Sequence, residues 1–223
     1  MKTALAIRAL TKFICGIALV GVLLFWPAGS WAYWNGWVFI ATLFAPMLTL
    51  GIVMLLRSPE LLSKRLSAKE SEPEQRWVVA LSAVMFVASF VVAGLNYRYS
   101  WATLPEWVVW CAVVIFLIAY AMYCEVMREN AYLSRSVEIQ EGQHVVDTRL
   151  YGIIRHPMYS ATLLLFLSMP LILGSPISFA ITLAYIPIIA LRIHSEERVL
   201  ELGLQGYREY KQRVRYKVLP YVW

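Results

Sequence analysis

The chain reads as an all-α integral membrane protein of about six transmembrane helices, the last two forming a helical hairpin, with a cytosolic C-terminal amphipathic helix. Three observations predict this. Of the 223 residues, 60% are hydrophobic, 14% aromatic and only 15% charged, a composition outside the range of soluble domains. The apolar residues gather into runs long enough to cross roughly 30 Å of hydrocarbon. The basic residues are one-sided: with six crossings, nineteen of the twenty lysines and arginines fall on one side and Arg98 alone on the other. The positive-inside rule makes that side the cytoplasm, with both termini there. The net charge of +6 is then explained by anionic lipid and needs no nucleic-acid partner.

The first apolar run, residues 13–28, follows Lys2, Arg8 and Lys12 and could be read as a secretory signal. The aromatic belt of Trp26, Trp31, Tyr33, Trp34 and Trp37 favours a retained span instead, since such rings collect at a bilayer surface. A second span, 38–56, stops at Arg57-Ser58-Pro59, because a residue before proline is pushed out of the helical region. Residues 60–76 mix leucines with charges and read as a short interfacial helix and a polar loop. Spans three (77–95) and four (107–123) flank an aromatic loop that contains Tyr97, Tyr99 and Trp101. Residues 125–155 carry too many charges to lie in hydrocarbon. The last apolar stretch, 160–191, is too long for one span and is broken by Pro170 and Gly174-Ser175-Pro176, which makes the hairpin. Pro187 is expected to kink its second arm. Cys15, Cys111 and Cys124 show neither paired nor metal-ligand spacing and read as small apolar residues, so no disulfide and no metal is expected.

Two polar clusters border that hairpin. Tyr151-Gly152-Ile153-Ile154-Arg155-His156-Pro157-Met158-Tyr159 precedes it and Arg192-Ile193-His194-Ser195-Glu196-Glu197 follows it. Both fall on the basic side, so the hairpin brings them together at the membrane boundary. Pro157 suits a first helical turn, where the positive helix end and Arg155 would favour an anionic group. Arg192 and Glu196, four apart, share a helix face. The plain alternative for both clusters is interfacial anchoring with a weak ion pair. Beyond them, Tyr207, Tyr210 and Val214 at helical spacing, with Arg208, Lys211 and Arg215 between, suggest a helix lying on the bilayer with its basic residues facing lipid.

Gln143-His144-Val145-Val146-Asp147-Thr148, Tyr151, Arg155-His156-Pro157-Met158-Tyr159, Arg192, Glu196-Glu197, Leu200, Tyr207, Tyr210 and Pro220 together resemble the isoprenylcysteine carboxyl methyltransferase family. Trp-Pro-Ala-Gly and Tyr-Trp-Asn-Gly-Trp near the start look more loosely like its bacterial members. The resemblance implies a single membrane-embedded methyltransferase domain over 1–223, with four spans in 1–124 and the donor-binding catalytic part in 125–223. It implies S-adenosyl-L-methionine as methyl donor, held by Gln143, His144, Val145, Val146, Tyr151, His156, Pro157, Met158, Tyr159 and Glu196. It places the family's substrate-contacting arginine at Arg192. The chain departs from the family pattern at Arg149-Leu150, where many members have Gly-Pro, and the interval from Glu197 to Tyr207 is a residue shorter than in eukaryotic members.

The chemistry fits the residues. Joining a sulfonium to a carboxylate or thiolate discharges both ions, which a dry, low-dielectric pocket favours. A carboxylate acceptor needs no base, only a cation such as Arg192 to hold it in line; an amine acceptor would need one, and Glu197 is the nearest candidate. No Gly-x-Gly-x-x-Gly loop is present, so a Rossmann-type donor site is excluded. The acceptor is expected to be lipophilic and membrane-resident, such as an isoprenylcysteine-like carboxylate or a thiol, and no obligate protein partner is evident. Alternatives are a phospholipid amine N-methyltransferase, an NADPH-dependent sterol-type reductase and a non-enzymatic membrane scaffold. The expected location is a multi-pass protein of the bacterial inner membrane, with its active site cytoplasmic.

Overall fold

A computed structural model describes residues 2–67, 73–130, 132, 139 and 141–223. All regular structure among them is helical. The helices are α1 (Lys2–Ala28), α2 (Trp34–Arg57), α3 (Pro59–Ser67), α4 (Pro73–Tyr99), α5 (Glu106–Glu129), α6 (Pro157–Ile172), α7 (Pro176–Thr182), α8 (Tyr185–Gly203) and α9 (Tyr207–Arg213), with a 3-10 turn over Arg149–Gly152. The expected loop that follows α3 and part of the polar 125–155 segment lie outside the described residues.

Five stretches are long and apolar enough to cross a membrane: Thr3–Ala28, Trp34–Arg57, Arg76–Tyr99, Glu106–Glu129 and Pro176–Gly203. The remaining arm of the hairpin, α6, is also apolar but has 16 residues. At 1.5 Å per residue it reaches only about 24 Å, short of the roughly 30 Å of hydrocarbon. Its far end is capped from the α1–α2 turn. Tyr33 donates to the Leu173 carbonyl at 2.6 Å and Asn35 to the Ile172 carbonyl at 3.0 Å, satisfying oxygens that a helix terminus leaves without partners. Gly174 then turns the chain at φ 71°.

Proline punctuation holds, with one displacement. Ser58 ends α2, its N–H reaching the Met54 carbonyl at 2.8 Å, and Pro59 opens α3. Pro170 lies inside α6, and the break comes after it at Leu173–Ser175. The expected kink at Pro187 is an interruption at Leu183–Ala184, between α7 and α8. Proline lacks the N–H that would have bonded back to Leu183, so the ladder lapses one turn earlier.

Within the apolar interior, Ser178 and Thr182 of α7 meet Ser89 of α4, at 2.6 and 3.0 Å between hydroxyls. Such bonds hold helices together where lipid offers no hydrophobic gradient. Helices α1 and α4 cross at Gly94, where a Cβ would lie 2.5 Å from the Leu24 carbonyl oxygen.

One expectation is corrected. Helix α9 forms, but its apolar face does not lie on the bilayer: Tyr207, Tyr210 and Val214 are buried with Leu204 against Val145 and Leu200. Two of its basic residues pair within the protein, Lys211 with Glu201 and Arg213 with Asp147. Protein contact takes the face because the preceding αL residue, Gly206 at φ 81°, folds the chain back under α8.

Candidate active site

The segment from Gln143 to Tyr159 has little regular structure, and its shape is set by bonds to distant parts of the chain. Asn130 at the end of α5 donates to the Tyr151 hydroxyl at 3.0 Å, and Tyr210 donates to the Tyr151 carbonyl at 2.7 Å. Burial raises the Tyr210 phenol above its ordinary range, keeping it a donor. Arg149 adopts φ 48°, a region that glycine enters freely and a β-carbon makes costly. Its side chain compensates by pairing with Glu125 and Glu129. The loop therefore closes without the Gly-Pro step.

Pro157 opens α6, and the Tyr159 and Ser160 amides bond to the His156 carbonyl at 3.0 and 3.2 Å. Arg155 is not available to an anion as expected. Its Nε donates to Glu197 Oε1 at 2.7 Å, while Nη1 donates to the carbonyls of Val214 and Arg215 at 2.8 and 2.7 Å. The irregular tail is fastened further: the Arg155 and His156 amides bond to the Tyr216 and Lys217 carbonyls, and the Ser160 hydroxyl to the Val218 carbonyl.

Glu197, the candidate base, is 4% exposed and does not reach the cavity wall. It accepts from Arg155 and faces His156 Nε2 at 3.2 Å, Lys217 Nζ at 3.4 Å and Lys211 Nζ at 3.6 Å. A carboxylate so enclosed is committed to these cations and is not presented to a ligand in the cavity. Glu196, one residue earlier and on another face of α8, lines the cavity instead.

That cavity encloses about 1170 Å³. Its polar limb is walled by Gln143, Val145, Val146, Tyr151, His156, Met158 and Tyr159 from the loop and the start of α6, and by Arg192 and Glu196 from α8. Here the Tyr159 hydroxyl accepts from Arg192 Nε at 3.0 Å and donates to Glu196. The apolar limb continues between α1, α2 and α4, along Ala9, Met47, Leu50, Gly51, Leu55 and Val78. His144 and Pro157 do not line the cavity. His144 is exposed and pairs with the Tyr132 hydroxyl at 3.0 Å, and Pro157 is buried at the helix start.

Other lining residues carried no prior assignment: Asn130, Tyr132, Leu200, Tyr207 and Tyr210. Among the described residues, Tyr207 holds the one buried side-chain polar atom without a hydrogen-bond partner, its hydroxyl oxygen.

The stretch from within α5 to the end of α8 matches the sequence pattern of the isoprenylcysteine carboxyl methyltransferase (ICMT) family over residues 109–202. Over that stretch the chain is similar to that family. The ICMT match takes in the Arg-His-Pro-Met-Tyr segment, Arg192 and the Glu196-Glu197 pair, and it ends before Tyr207. With five span-length apolar helices, it supports a multi-pass membrane methyltransferase. Comparison with curated proteins found no match.

Proposed function

We propose that this protein transfers a methyl group from S-adenosylmethionine to a lipophilic acceptor, a carboxylate or thiol on a long apolar chain. The observation that carries the reading is the single two-limbed cavity: ICMT-type residues surround its polar limb, and its apolar limb runs between membrane helices. The polar limb fits a ligand rich in hydroxyls and charge, since it offers a cation, a carboxylate and a phenol in one bonded chain and a further hydroxyl with nothing to bond. When bound, the donor supplies an electrophilic methyl group on a sulfonium.

The residues divide the work. Gln143, Val145, Val146, Tyr151, His156, Met158, Tyr159 and Glu196 form the donor wall, Glu196 taking hydroxyl or amino hydrogens. Arg192 orients the anionic acceptor; its planar guanidinium matches a carboxylate fork. Tyr159 fixes both by bonding each. A carboxylate acceptor, already ionised at neutral pH, makes a base unnecessary, and a thiol acceptor would lose its proton to water and react as the thiolate; we assign Glu197 to fastening the tail rather than to proton abstraction. His144 and Pro157 support the wall from behind. The polar limb faces the cytoplasm in this reading, supported by the nineteen basic residues on its side; reporter fusions placing either terminus outside would reverse it.

The deciding experiment is calorimetry on the detergent-solubilised protein with S-adenosylhomocysteine and, in parallel, NADPH. Saturable binding of the first and none of the second is expected. The reverse pattern would remove the methyltransferase assignment.

A further inference from the structure

Resting on the donor assignment above, we infer that Tyr207 is a donor-binding residue, its hydroxyl donating a hydrogen bond to an uncharged acceptor atom in the nucleoside half of the bound donor. It lies outside the ICMT-matched stretch, and the wider resemblance that includes it gives it no role. The inference stands on an asymmetry within one short helix. Tyr207 and Tyr210 are both about as buried, 4% and 3% exposed, and both line the cavity. Tyr210 has a partner, the Tyr151 carbonyl at 2.7 Å; the Tyr207 hydroxyl has none.

A buried hydroxyl deprived of water costs stability unless something bonds to it, and the packing around the Tyr207 ring, against Tyr210, Leu204 and Val214, would be met equally by phenylalanine. The hydroxyl is therefore retained at a cost in the ligand-free protein, and the cavity is where its partner can arrive. Its character follows from its neighbours. Burial, then Glu197 and Glu196, push the phenol above its ordinary range, so it offers a proton and not an anion. Those two glutamates also disfavour the carboxylate of the donor's amino-acid end. A ribose hydroxyl or ring nitrogen is compatible with both, because a hydroxyl can accept from Tyr207 and donate to Glu196 together.

The test is Tyr207→Phe, with Tyr210→Phe beside it. Tyr207→Phe is expected to leave the ligand-free melting temperature unchanged or higher, while weakening S-adenosylhomocysteine about five- to tenfold by calorimetry. The same loss should appear with 5′-methylthioadenosine, measured by competition, because that compound keeps the nucleoside and lacks the amino-acid end. Tyr210→Phe, which removes a satisfied bond, should instead lower the ligand-free melting temperature. If wild type fails to bind S-adenosylhomocysteine, the donor reading itself falls. If wild type binds and Tyr207→Phe binds equally well, the role of Tyr207 is overturned while the donor reading stands. A loss seen with S-adenosylhomocysteine but absent with 5′-methylthioadenosine would overturn the nucleoside assignment.

Discussion

Adjacent glutamates on α8 have opposite surroundings, and that difference decides what each substitution should do. Glu196 faces the cavity and accepts from Tyr159; Glu197 is enclosed by Arg155, His156, Lys211 and Lys217. Removing one partner of a buried ion pair strands the other, at about 3–5 kcal/mol. Glu197→Ala should therefore lower the melting temperature by on the order of 10 °C. Glu196→Ala should leave folding nearly intact and weaken S-adenosylhomocysteine about 30- to 150-fold, the equivalent of roughly 2–3 kcal/mol for a charge-assisted contact. Arg192→Ala should spare donor affinity and reduce methyl transfer by a similar factor, and lysine should not restore it. Melting curves, calorimetry and methyl incorporation on the three variants separate these outcomes. Equal, small stability losses with normal binding in all three would reduce the cluster to a surface ion pair. The pairing of Arg192 with Glu196 on one face was legible from their spacing of four. The fate of Glu197 was not, because its partners lie up to 42 residues away in the chain and no local periodicity connects them.

At the scale of elements, the apolar runs and prolines predicted every span-length helix, because in hydrocarbon a segment's own hydrogen bonds determine its form. What they could not show was which faces meet. Helix α9 has the same amphipathic pattern whether lipid or protein covers it, and only the left-handed turn at Gly206 directs its apolar face inward. The α1–α4 crossing is equally silent in sequence, since Gly94 is one glycine among several apolar neighbours. Its consequence can be measured. Alanine at Gly94 would place Cβ 2.5 Å from the Leu24 carbonyl and 3.0 Å from Ala28 N, backbone atoms that move only if α1 moves. Alanine at Gly21, where nothing lies within 4 Å, gains helix propensity worth about 1 kcal/mol. Gly94→Ala should thus melt below wild type and Gly21→Ala at or above it. A stabilised Gly94→Ala would show that the two helices do not touch there. The loop at Arg149 shows a different limit: the departure from Gly-Pro is visible in the sequence, but the two glutamates on α5 that pair with Arg149 at its φ of 48° are not.

Taken whole, the molecule is a helical shell around a cavity whose two limbs differ in polarity, and the limbs should respond independently. Gly51 borders the apolar limb, and a β-carbon there would meet nothing within 4 Å. Gly51→Leu should fill part of that limb while favouring the helix. Transfer to a long-chain acid should then require a higher acceptor concentration, with S-adenosylhomocysteine affinity unchanged; an unaltered preference for chain length would mean that the acceptor takes another route. The tail imposes an order in time. Arg155, His156 and Ser160 are all closed by carbonyls from residues 214–218, which leave the ribosome after α1 to α8 have been made. A nascent chain can insert these helices while its polar limb is still missing a wall. On the proposed function, competence for methyl transfer is thus gained only once residues 214–218 have emerged, and chains shortened before residue 214 should accumulate in the membrane as inert, proteolysis-prone shells rather than as partly active enzymes.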